Sequence, residues 1–405
     1  MTKLGVLFSV LGVGAGCIPA FAQKQLPNII VMLSDDQGWG DLGFTGNTFV
    51  QTPNIDRIAH EGTILENFYV CPVSSPTRAE FLTGRYHVRS GVNSTTGGGE
   101  RFNLGEKTIA EYFREAGYAT SLFGKWHSGT QYPYHPNARG FEEFYGFCSG
   151  HWGNYWNPVL EHNGEIISGE GFIIDDLTDK ALDYIRDHKE HPFFMFLSYN
   201  TPHSPMQVPD SWWNRVKDRT LSQRATFPEQ EDTTFTKAAL ALAENLDWNI
   251  GRVLSLLHSL DLEQETIVIY FSDNGPNSFR WNGGMKGRKG STDSPFCIRW
   301  PGHIRKGAVE TQLSGAIDLI PTLLGLAGIE YTPLRKLDGI DWGQRLLDEK
   351  APAMDRVLYS YWGGKTSVRI PYYLLDAEGY LYKTDIDREQ RKDVSDKEPK
   401  IYERM

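Results

Sequence analysis

Residues 28–38 read NIIVMLSDDQG, a short apolar run that ends in two adjacent acids, Asp35 and Asp36. Apolar and polar residues do not alternate within the run, so the strand that it predicts is covered on both faces. Strands of this kind lie in parallel sheets between two layers of helices. Open α/β sheets bind their ligands beyond the carboxyl ends of the strands. The stretch therefore predicts a sheet and also the edge of that sheet where a site is expected.

Three further stretches repeat this pattern. They are ATSLF at 119–123 followed by Lys125 and His127, FFMFLS at 193–198 followed by His203, and TIVIYFS at 266–272 followed by Asp273 and Asn274. Amphipathic segments separate the runs, and strands that alternate with helices indicate an open α/β sheet. Because parallel strands end at one edge, we expect all four polar clusters to meet in one crevice.

The composition is that of a globular protein with a buried core, with 40% hydrophobic and 23% charged residues among 405. From about residue 353 the character changes, and DRVLYSYW, TSVRIPYYLLD and GYLYKTD are typical of short antiparallel strands. We therefore expect a mostly parallel sheet sandwiched by helices over residues 23–350. A small antiparallel subdomain is expected over residues 351–405.

Charge and cysteine content exclude several functions. The formal net charge is −10, with 41 basic and 51 acidic residues, so no basic face for nucleic acid is expected. Beyond the N-terminal segment only Cys71, Cys148 and Cys297 remain. Three scattered cysteines are too few for a disulfide framework or a zinc site.

The N-terminus predicts export from the cytoplasm. Residues 1–22 have one lysine, then an apolar run, and end in Ala-Phe-Ala, as signal peptides do. We expect cleavage after Ala22 and a periplasmic or secreted protein. Lipidation at Cys17 is the alternative, disfavoured because Gly14 stands where lipoprotein signals usually carry Leu. No later run is long enough to span a bilayer, so a transmembrane protein is not expected.

The stretch CPVSSPTRAEFLTGR holds two candidate nucleophiles, Cys71 and Ser74. It reads as a helix start, with Ser75 as the predicted N-cap and Gly84 as the residue that ends the helix. The N-terminus of a helix favours negative charge, so an anion near Ser74 would be stabilised there. Arg78 lies one turn along and can face the same point. Cys71 belongs to the loop before the helix.

The strand-end residues suit a hard metal ion and an anionic ester. Asp35, Asp36, Asp273 and Asn274 offer oxygen ligands, which favours Ca²⁺, with Mg²⁺ as the alternative. Three carboxylates at one point would repel each other without a cation. Cations and proton carriers also gather here, namely Arg78, Lys125, His127, His203 and a lysine of the segment 286–289. This set suits displacement at a phosphate or sulfate ester.

The chain resembles the type I sulfatases of the alkaline phosphatase superfamily. Their signature begins with Cys or Ser, has Pro two positions on and Arg four positions on, and continues to L-T-G-R. Here Ser74, Pro76 and Arg78 fill these positions, and LTGR follows at 82–85. In the register that starts at Cys71, both the Pro and the Arg are missing. The resemblance therefore selects Ser74.

The resemblance implies that Ser74 is oxidised to formylglycine, whose hydrated aldehyde is the nucleophile. A serine at this position implies a radical S-adenosylmethionine maturing enzyme as a partner. The calcium ligands carried over from the family are Asp35, Asp36, Asp273 and Asn274, completed by residue 74. The expected substrate is a sulfate ester of a carbohydrate, and the expected fold is that of alkaline phosphatase.

The remaining roles are also implied by the resemblance. Arg78 and Lys125 would stabilise the modified residue and the sulfate charge, and His127 would drive sulfate release. His203 and Lys289 would bind sulfate and protonate the leaving alcohol.

Two departures from the family pattern keep alternatives open. The segment E-G-G-x-R, expected between Asp293 and Ser294, is missing close to Lys289, and the chain ends at Met405, which predicts an abbreviated C-terminal subdomain. One alternative is a phosphatase or phosphodiesterase of the same superfamily that uses unmodified Ser74. The other is a glycan-binding relative without catalysis.

Overall fold

The structure, a computed structural model, describes residues 1–2, 26–285 and 292–405. The predicted cleavage after Ala22 and lipidation at Cys17 therefore lie outside the described residues, and so does Lys289. Within the described ranges, no helix is both long and apolar enough to cross a bilayer.

The described strands, numbered in chain order, are β1 (Asn28–Ser34), β2 (Thr63–Leu65), β3 (Phe68–Tyr69), β4 (Ala119–Lys125), β5 (Glu143–Phe147), β6 (Val159–His162), β7 (Glu165–Ser168), β8 (Phe193–Ser198), β9 (Thr266–Ser272), β10 (Phe296–Arg299), β11 (Ala308–Glu310), β12 (Ser314–Gly315), β13 (Leu358–Trp362), β14 (Lys365–Ile370), β15 (Tyr373–Leu375) and β16 (Leu381–Lys383). The described α-helices are α1 (Pro53–Glu61), α2 (Ser74–Thr83), α3 (His87–Ser90), α4 (Ile109–Glu115), α5 (Ile173–Asp187), α6 (Asp210–Val216), α7 (Thr233–Ser259), α8 (Leu319–Ala327), α9 (Gly343–Leu347) and α10 (Pro399–Arg404).

Among the described residues, ten strands form the main sheet in the order β11-β2-β10-β9-β1-β8-β4-β5-β6-β7. The five central strands, β9 to β5 in that order, are all parallel. Antiparallel pairs occur on both sides, where β10 meets β9 and where β6 meets β5. The strands β13 to β16 form a separate antiparallel sheet. The predicted fold class, a mostly parallel sheet between helices with a small antiparallel sheet, is confirmed. The boundary near residue 350 stays a prediction.

Strand β1 explains why the central runs are apolar throughout. Ile29, Val31 and Leu33 face a layer that contains α2, α4 and α8. Ile30 and Met32 face the opposite layer, with α1, α5 and α7. A fully buried side chain of this size contributes about 1.5–3 kcal/mol, so both faces favour apolar residues. The two helix layers hold the sheet rigidly and fix where each strand ends.

Helix α2 begins one residue earlier than the predicted cap. The residue before the helix is Val73, with extended backbone, and the Ser75 hydroxyl donates to the carbonyl of Ser94 at 2.9 Å. The prediction of Ser75 as N-cap is wrong because its hydroxyl bonds to a neighbouring loop instead of its own helix. Gly84 ends the helix as predicted, with a left-handed φ of 65° and an N–H that donates to the carbonyl of Glu80.

Candidate active site

The carboxyl ends of β1 and β9 lie side by side. The two strands pair in parallel with Ser34 opposite Ser272, which brings Asp35 level with Asp273. The Asp36 N–H donates to Oδ1 of Asp273 at 3.2 Å. Asp36 has a φ of 61°, a left-handed conformation that is unusual outside glycine and turns the chain at the strand end. The two predicted acidic clusters therefore meet.

Ser74 lies against the same point. Its Oγ donates to Oδ2 of Asp273 at 2.5 Å and accepts from Nε of Arg78 at 2.9 Å. Nδ1 of His127 is 3.2 Å from the same oxygen. The Ser74 side chain is buried, as is every other residue of α2. The structure thus brings the predicted nucleophile, one predicted metal ligand and two predicted basic groups within hydrogen-bond distance.

Arg78 holds several of these groups in place. Its Nη2 is 3.1 Å from Oδ2 of Asp273, and both side chains are 0% exposed. Its Nη1 donates to the carbonyl of Lys125 at 2.9 Å and to the hydroxyl of Ser198 at 2.5 Å. A buried charge without a partner is strongly destabilising, so this guanidinium fixes the positions of all three neighbours.

Lys125 and His203 contact the acids that follow β1. Nζ of Lys125 donates to Oδ2 of Asp35 at 2.7 Å, and Nε2 of His203 is 3.3 Å from Oδ2 of Asp36. Burial favours the neutral form of Asp35, but Lys125 and then His203 outweigh it, so the pKa of Asp35 lies below its usual value. Burial also lowers the pKa of Lys125, and Asp35 opposes this effect.

His127 is held in one orientation. Its backbone is left-handed, with a φ of 59°, and its Nε2 is 2.8 Å from the carbonyl oxygen of Thr95. A carbonyl only accepts, so Nε2 carries the proton and donates to it. In a neutral ring Nδ1 is then an acceptor that faces Oγ of Ser74. Burial, followed by the charge of Lys125, lowers the pKa of His127 well below its usual value.

The acids at the strand ends fit a hard divalent cation. Oδ1 of Asp35 and Oδ1 of Asn274 are buried and have no hydrogen-bond partner among the described residues. Nδ2 of Asn274 donates to Asp36 and to the carbonyl of Gly275, which turns its oxygen away from both. Oxygen atoms in this state are expected where a cation binds. Asp35, Asp36 and His203 also have ligand atoms within 4.8 Å of one another.

Cys71 is not poised to react. Its backbone N–H donates to the Thr77 hydroxyl at 2.9 Å, and its side chain is buried. Burial and then the nearby Glu80 raise the pKa of the Cys71 thiol well above its usual value. A thiol that stays protonated is a poor nucleophile. The physical chemistry of the site therefore agrees with the selection of Ser74.

Glu80 makes stability depend on pH. Burial raises its pKa to about 8 from 4.5, so the folded protein keeps a proton that the unfolded chain loses above pH 4.5. Stability should therefore fall by about 1.4 kcal/mol per pH unit between those two values. We expect Glu80→Gln to remove this loss and to be more stable than the wild type at pH 8. Urea unfolding at each pH unit from 5 to 8 measures it, with the exposed Glu190→Gln as control. Parallel curves for wild type and Glu80→Gln would contradict the expectation.

The missing family segment does not interrupt the sheet. Thr292 accepts from the Val70 N–H at 2.8 Å, and the Ser294 N–H donates to Phe68 at 3.0 Å. The Ser294 hydroxyl bonds to the backbone of β9 at both 3.0 and 2.8 Å. The described part of this connection is thus anchored on both sides. Lys289 itself is outside the described residues, so its predicted role stays a prediction.

Sequence reasoning missed three supporting residues. Ser198 accepts from Arg78, the carbonyl of Thr95 orients His127, and Arg280 donates to the Asp36 carbonyl at 3.1 Å. Ser198 could have been found, because it ends the apolar run at 193–198 in the same way that polar residues end the others. Thr95 acts through its backbone, and no side-chain pattern reveals such a contact.

The Sulfatase family profile matches residues 27–329, which is most of the chain. The chain belongs to the sulfatase family. Sulfatases are sulfuric ester hydrolases, and the present sulfatase is accordingly an enzyme of that class. The predicted family and the predicted type of enzyme are both confirmed.

The sulfatase is similar to proteins from several sources. It is 31% identical to the N-acetylgalactosamine-6-sulfatase of Homo sapiens, over 87% of this chain and 70% of that protein. It is 30% identical to the uncharacterized sulfatase YdeN of Escherichia coli (strain K12), over 84% and 70%. The crystal structure of Ps i-CgsB in complex with k-i-k-neocarrahexaose superposes with a TM-score of 0.84 and 28% identity, covering 94% of this chain and 91% of that one.

Proposed function

We propose that this sulfatase hydrolyses a sulfate ester of a carbohydrate, with formylglycine made from Ser74 and with bound Ca²⁺. The observation that carries the proposal is the contact of the Ser74 oxygen with Asp273, Arg78 and His127. When hydrated, formylglycine supplies two hydroxyls on one carbon, one to attack sulfur and one whose deprotonation expels sulfate. A bound Ca²⁺ supplies positive charge for the sulfate oxygens.

Asp35, Asp36, Asp273 and Asn274 would hold the cation, with residue 74 completing its ligands. The buried, unbonded oxygens of Asp35 and Asn274 support this assignment. Calcium is preferred to Mg²⁺ because it accepts more oxygen ligands in looser geometry. Loading is testable without activity, since calcium added to chelator-treated protein should raise the melting temperature.

The negative charge of the sulfate ester would be stabilised by Arg78, Lys125 and His203. Both Arg78, which contacts the Ser74 oxygen, and Lys125, which contacts Asp35, are fully buried cations, so their field is weakly screened. His203 is only partly buried and reaches the same crevice from the segment after β8. We assign it to bind sulfate and to protonate the alcohol oxygen as the ester bond breaks, together with Lys289.

His127 would take a proton from residue 74. Its Nε2 is occupied by the Thr95 carbonyl, so Nδ1 is the nitrogen available to the side-chain oxygen of residue 74, at 3.2 Å. A general base must lie within about 2.6–3.2 Å of the atom that it deprotonates, and this geometry satisfies that limit.

We expect His127→Ala to lower kcat by about 10²- to 10⁴-fold, because a positioned base is lost. Calcium binding should change little, since His127 is outside the proposed ligand set. The measurement is release of inorganic sulfate by matured protein. His162→Ala, which changes a half-exposed histidine on β6, is the matched control and should keep wild-type activity. An active His127→Ala enzyme would remove this residue from the proposed role.

A carbohydrate substrate is supported by the relatives. One of them is named for N-acetylgalactosamine 6-sulfate, and another was solved with a neocarrahexaose. Exposed aromatic residues in this chain, such as Trp156 at 47% exposure, offer surfaces on which sugar rings can stack. We propose the substrate class on these grounds and leave the sugar and the sulfate position open.

The test is sulfate release from a panel of sulfated mono- and disaccharides. The protein should be co-expressed with a radical S-adenosylmethionine maturing enzyme, the proposed partner. Mass spectrometry of the peptide around Ser74 should show the loss of two hydrogens that converts serine to formylglycine. Absence of sulfate release from every substrate, with that modification present, would refute the proposal. Faster phosphate than sulfate release with unmodified Ser74 would instead favour the phosphatase alternative.

We also propose that the sulfatase is exported after cleavage behind Ala22. The support is the composition of residues 1–22. N-terminal sequencing of protein purified from the periplasm or medium tests this directly, and retention of residues 1–22 would refute it.

A further inference from the structure

A polar cavity of about 350 Å³ lies between the C-terminal antiparallel sheet and the segment 66–69, which contains β3. Its lining includes two arginines, Arg369 and Arg388, and neutral hydrogen-bonding side chains such as Asn67, Tyr69, Thr384 and Gln390. Planar guanidinium groups with neutral donors around them are suited to bind sulfate or carboxylate oxygens. Neither arginine has a role in the site described above.

The cavity lies close to the candidate active site. The Arg388 guanidinium lies over the Trp39 ring, 4.3 Å from its centre, and Trp39 follows Asp36 by three residues. Three residues span at most about 11 Å, so Trp39, and with it Arg388, is close to the proposed metal ligands. Tyr69 lines the cavity. It precedes Ser74 by five residues, which span at most about 18 Å. Both separations are within the length of a short oligosaccharide.

The guanidinium group of Arg369 is positioned to bind an anionic ligand. It stacks on the Tyr69 ring at 4.1 Å and donates to the Thr292 hydroxyl at 3.2 Å. Its Nε is buried without a hydrogen-bond partner among the described residues. Stacking on an aromatic ring fixes the plane of the guanidinium and leaves its edge available for an anion.

The acids around the cavity do not cancel this charge. Asp293, the buried acid, pairs with Arg388 at 3.0 Å. The two other acids of the lining, Glu66 and Asp385, are exposed, and Asp385 lies 3.8 Å from Lys383. Exposed charges are screened by water more strongly than buried ones. Among the described residues of the lining, the two arginines therefore share one buried carboxylate, that of Asp293.

We propose that this cavity is a second anion subsite, which binds a sulfate or carboxylate group on the same glycan as the ester that is hydrolysed. The inference rests on the proposed function and narrows its substrate class to glycans with at least two anionic groups. Arg369 contacts the second group directly. Arg388, already paired with Asp293, closes the subsite against Trp39.

The experiment compares three disaccharides that share the reactive sulfate ester. One has no other charge, one has a second sulfate, and one has a uronate carboxylate. For matured wild type, kcat/KM should be roughly 10- to 100-fold higher on at least one of the doubly charged substrates, as expected for charge-assisted hydrogen bonds. The preferred substrate shows whether the second anionic group is a sulfate or a carboxylate.

Arg369→Gln should remove that preference and leave kcat/KM on the singly charged disaccharide unchanged. The matched control is Arg404→Gln, an exposed arginine of the same C-terminal region that pairs with Asp355 away from the cavity. Melting temperatures check that each variant is folded. Equal kcat/KM of wild type on all three disaccharides, or an equal loss on all three in Arg369→Gln, would overturn the subsite.

Binding separates failure of the subsite from failure of the proposed function. Calorimetry with the same disaccharides and unmodified protein needs no turnover. If no sulfate is released from any substrate, the proposed function fails, while the subsite still predicts roughly 10-fold weaker binding of the doubly charged disaccharide to Arg369→Gln. Equal dissociation constants for wild type and Arg369→Gln would refute the subsite itself.

Discussion

Ser74→Ala is expected to lower sulfate release by about 10⁴-fold or more, because loss of a nucleophile removes nearly all of the chemical rate enhancement. The variant should still fold. The Ser74 hydroxyl makes a single donated bond to Asp273, and Arg78 keeps its own contacts with that carboxylate. The expected cost in stability is therefore only about 1 kcal/mol. Sulfate release and the urea unfolding midpoint are the two measurements.

The matched control for this variant is Cys71→Ala. The thiol is buried with a raised pKa, so its loss should cost about 1 kcal/mol of stability and leave kcat within about threefold of wild type. The reverse result, an inactive Cys71 variant and an active Ser74 variant, would overturn the register of the signature as well as the nucleophile.

Asp273→Asn is expected to have the largest effect on the site as a whole. It keeps the size of the side chain but leaves the fully buried Arg78 without its counter-charge. In metal-free protein this should lower the free energy of unfolding by about 3–5 kcal/mol. Asp273 is also a ligand of the proposed calcium site. Substitution of residues that hydrogen-bond to metal ligands weakens binding 10- to 100-fold, so loss of a ligand's charge should weaken calcium binding by about 100-fold or more.

Denaturant unfolding in chelator and calorimetric titration with calcium measure the two effects separately. Asp355→Asn is the control, because its carboxylate pairs with Arg404 but is 72% exposed, where ion pairs contribute little. Wild-type calcium affinity in Asp273→Asn would exclude Asp273 from the ligand set, even if stability fell as expected.

The fold can be predicted from sequence because the apolar runs of the central strands are stable only when both faces of the sheet are covered. A run such as NIIVMLS must be covered on both faces, and alternate residues of β1 do contact opposite helix layers. The same logic predicts that Asp35 and Asp273 are neighbours, since both follow parallel strands. The C-terminal sequence also indicates short antiparallel strands, but it predicts three where the structure has four, because TSVRIPYYLLD divides into β14 and β15.

Finer features of the site cannot be predicted in this way. The directions of Asp36 and His127 depend on left-handed backbone, and neither residue is a glycine that would signal it. The Ser75 hydroxyl had two partners open to it, its own helix or the Ser94 carbonyl, and only the tertiary structure decides between them. The contacts between Arg388 and Trp39 join residues almost 350 positions apart, beyond the reach of any local pattern.

The burial of α2 has a consequence for how an active enzyme is produced. Only 5% of Ser74 is exposed in the folded chain, which is too little for another enzyme to bind this segment. If Ser74 is oxidised as proposed, the oxidation has to occur while the chain is still unfolded, in kinetic competition with docking of the helix. Under the proposed function, the fraction of active molecules in a preparation is then set during synthesis, and chains that fold before oxidation stay inactive when calcium is added later.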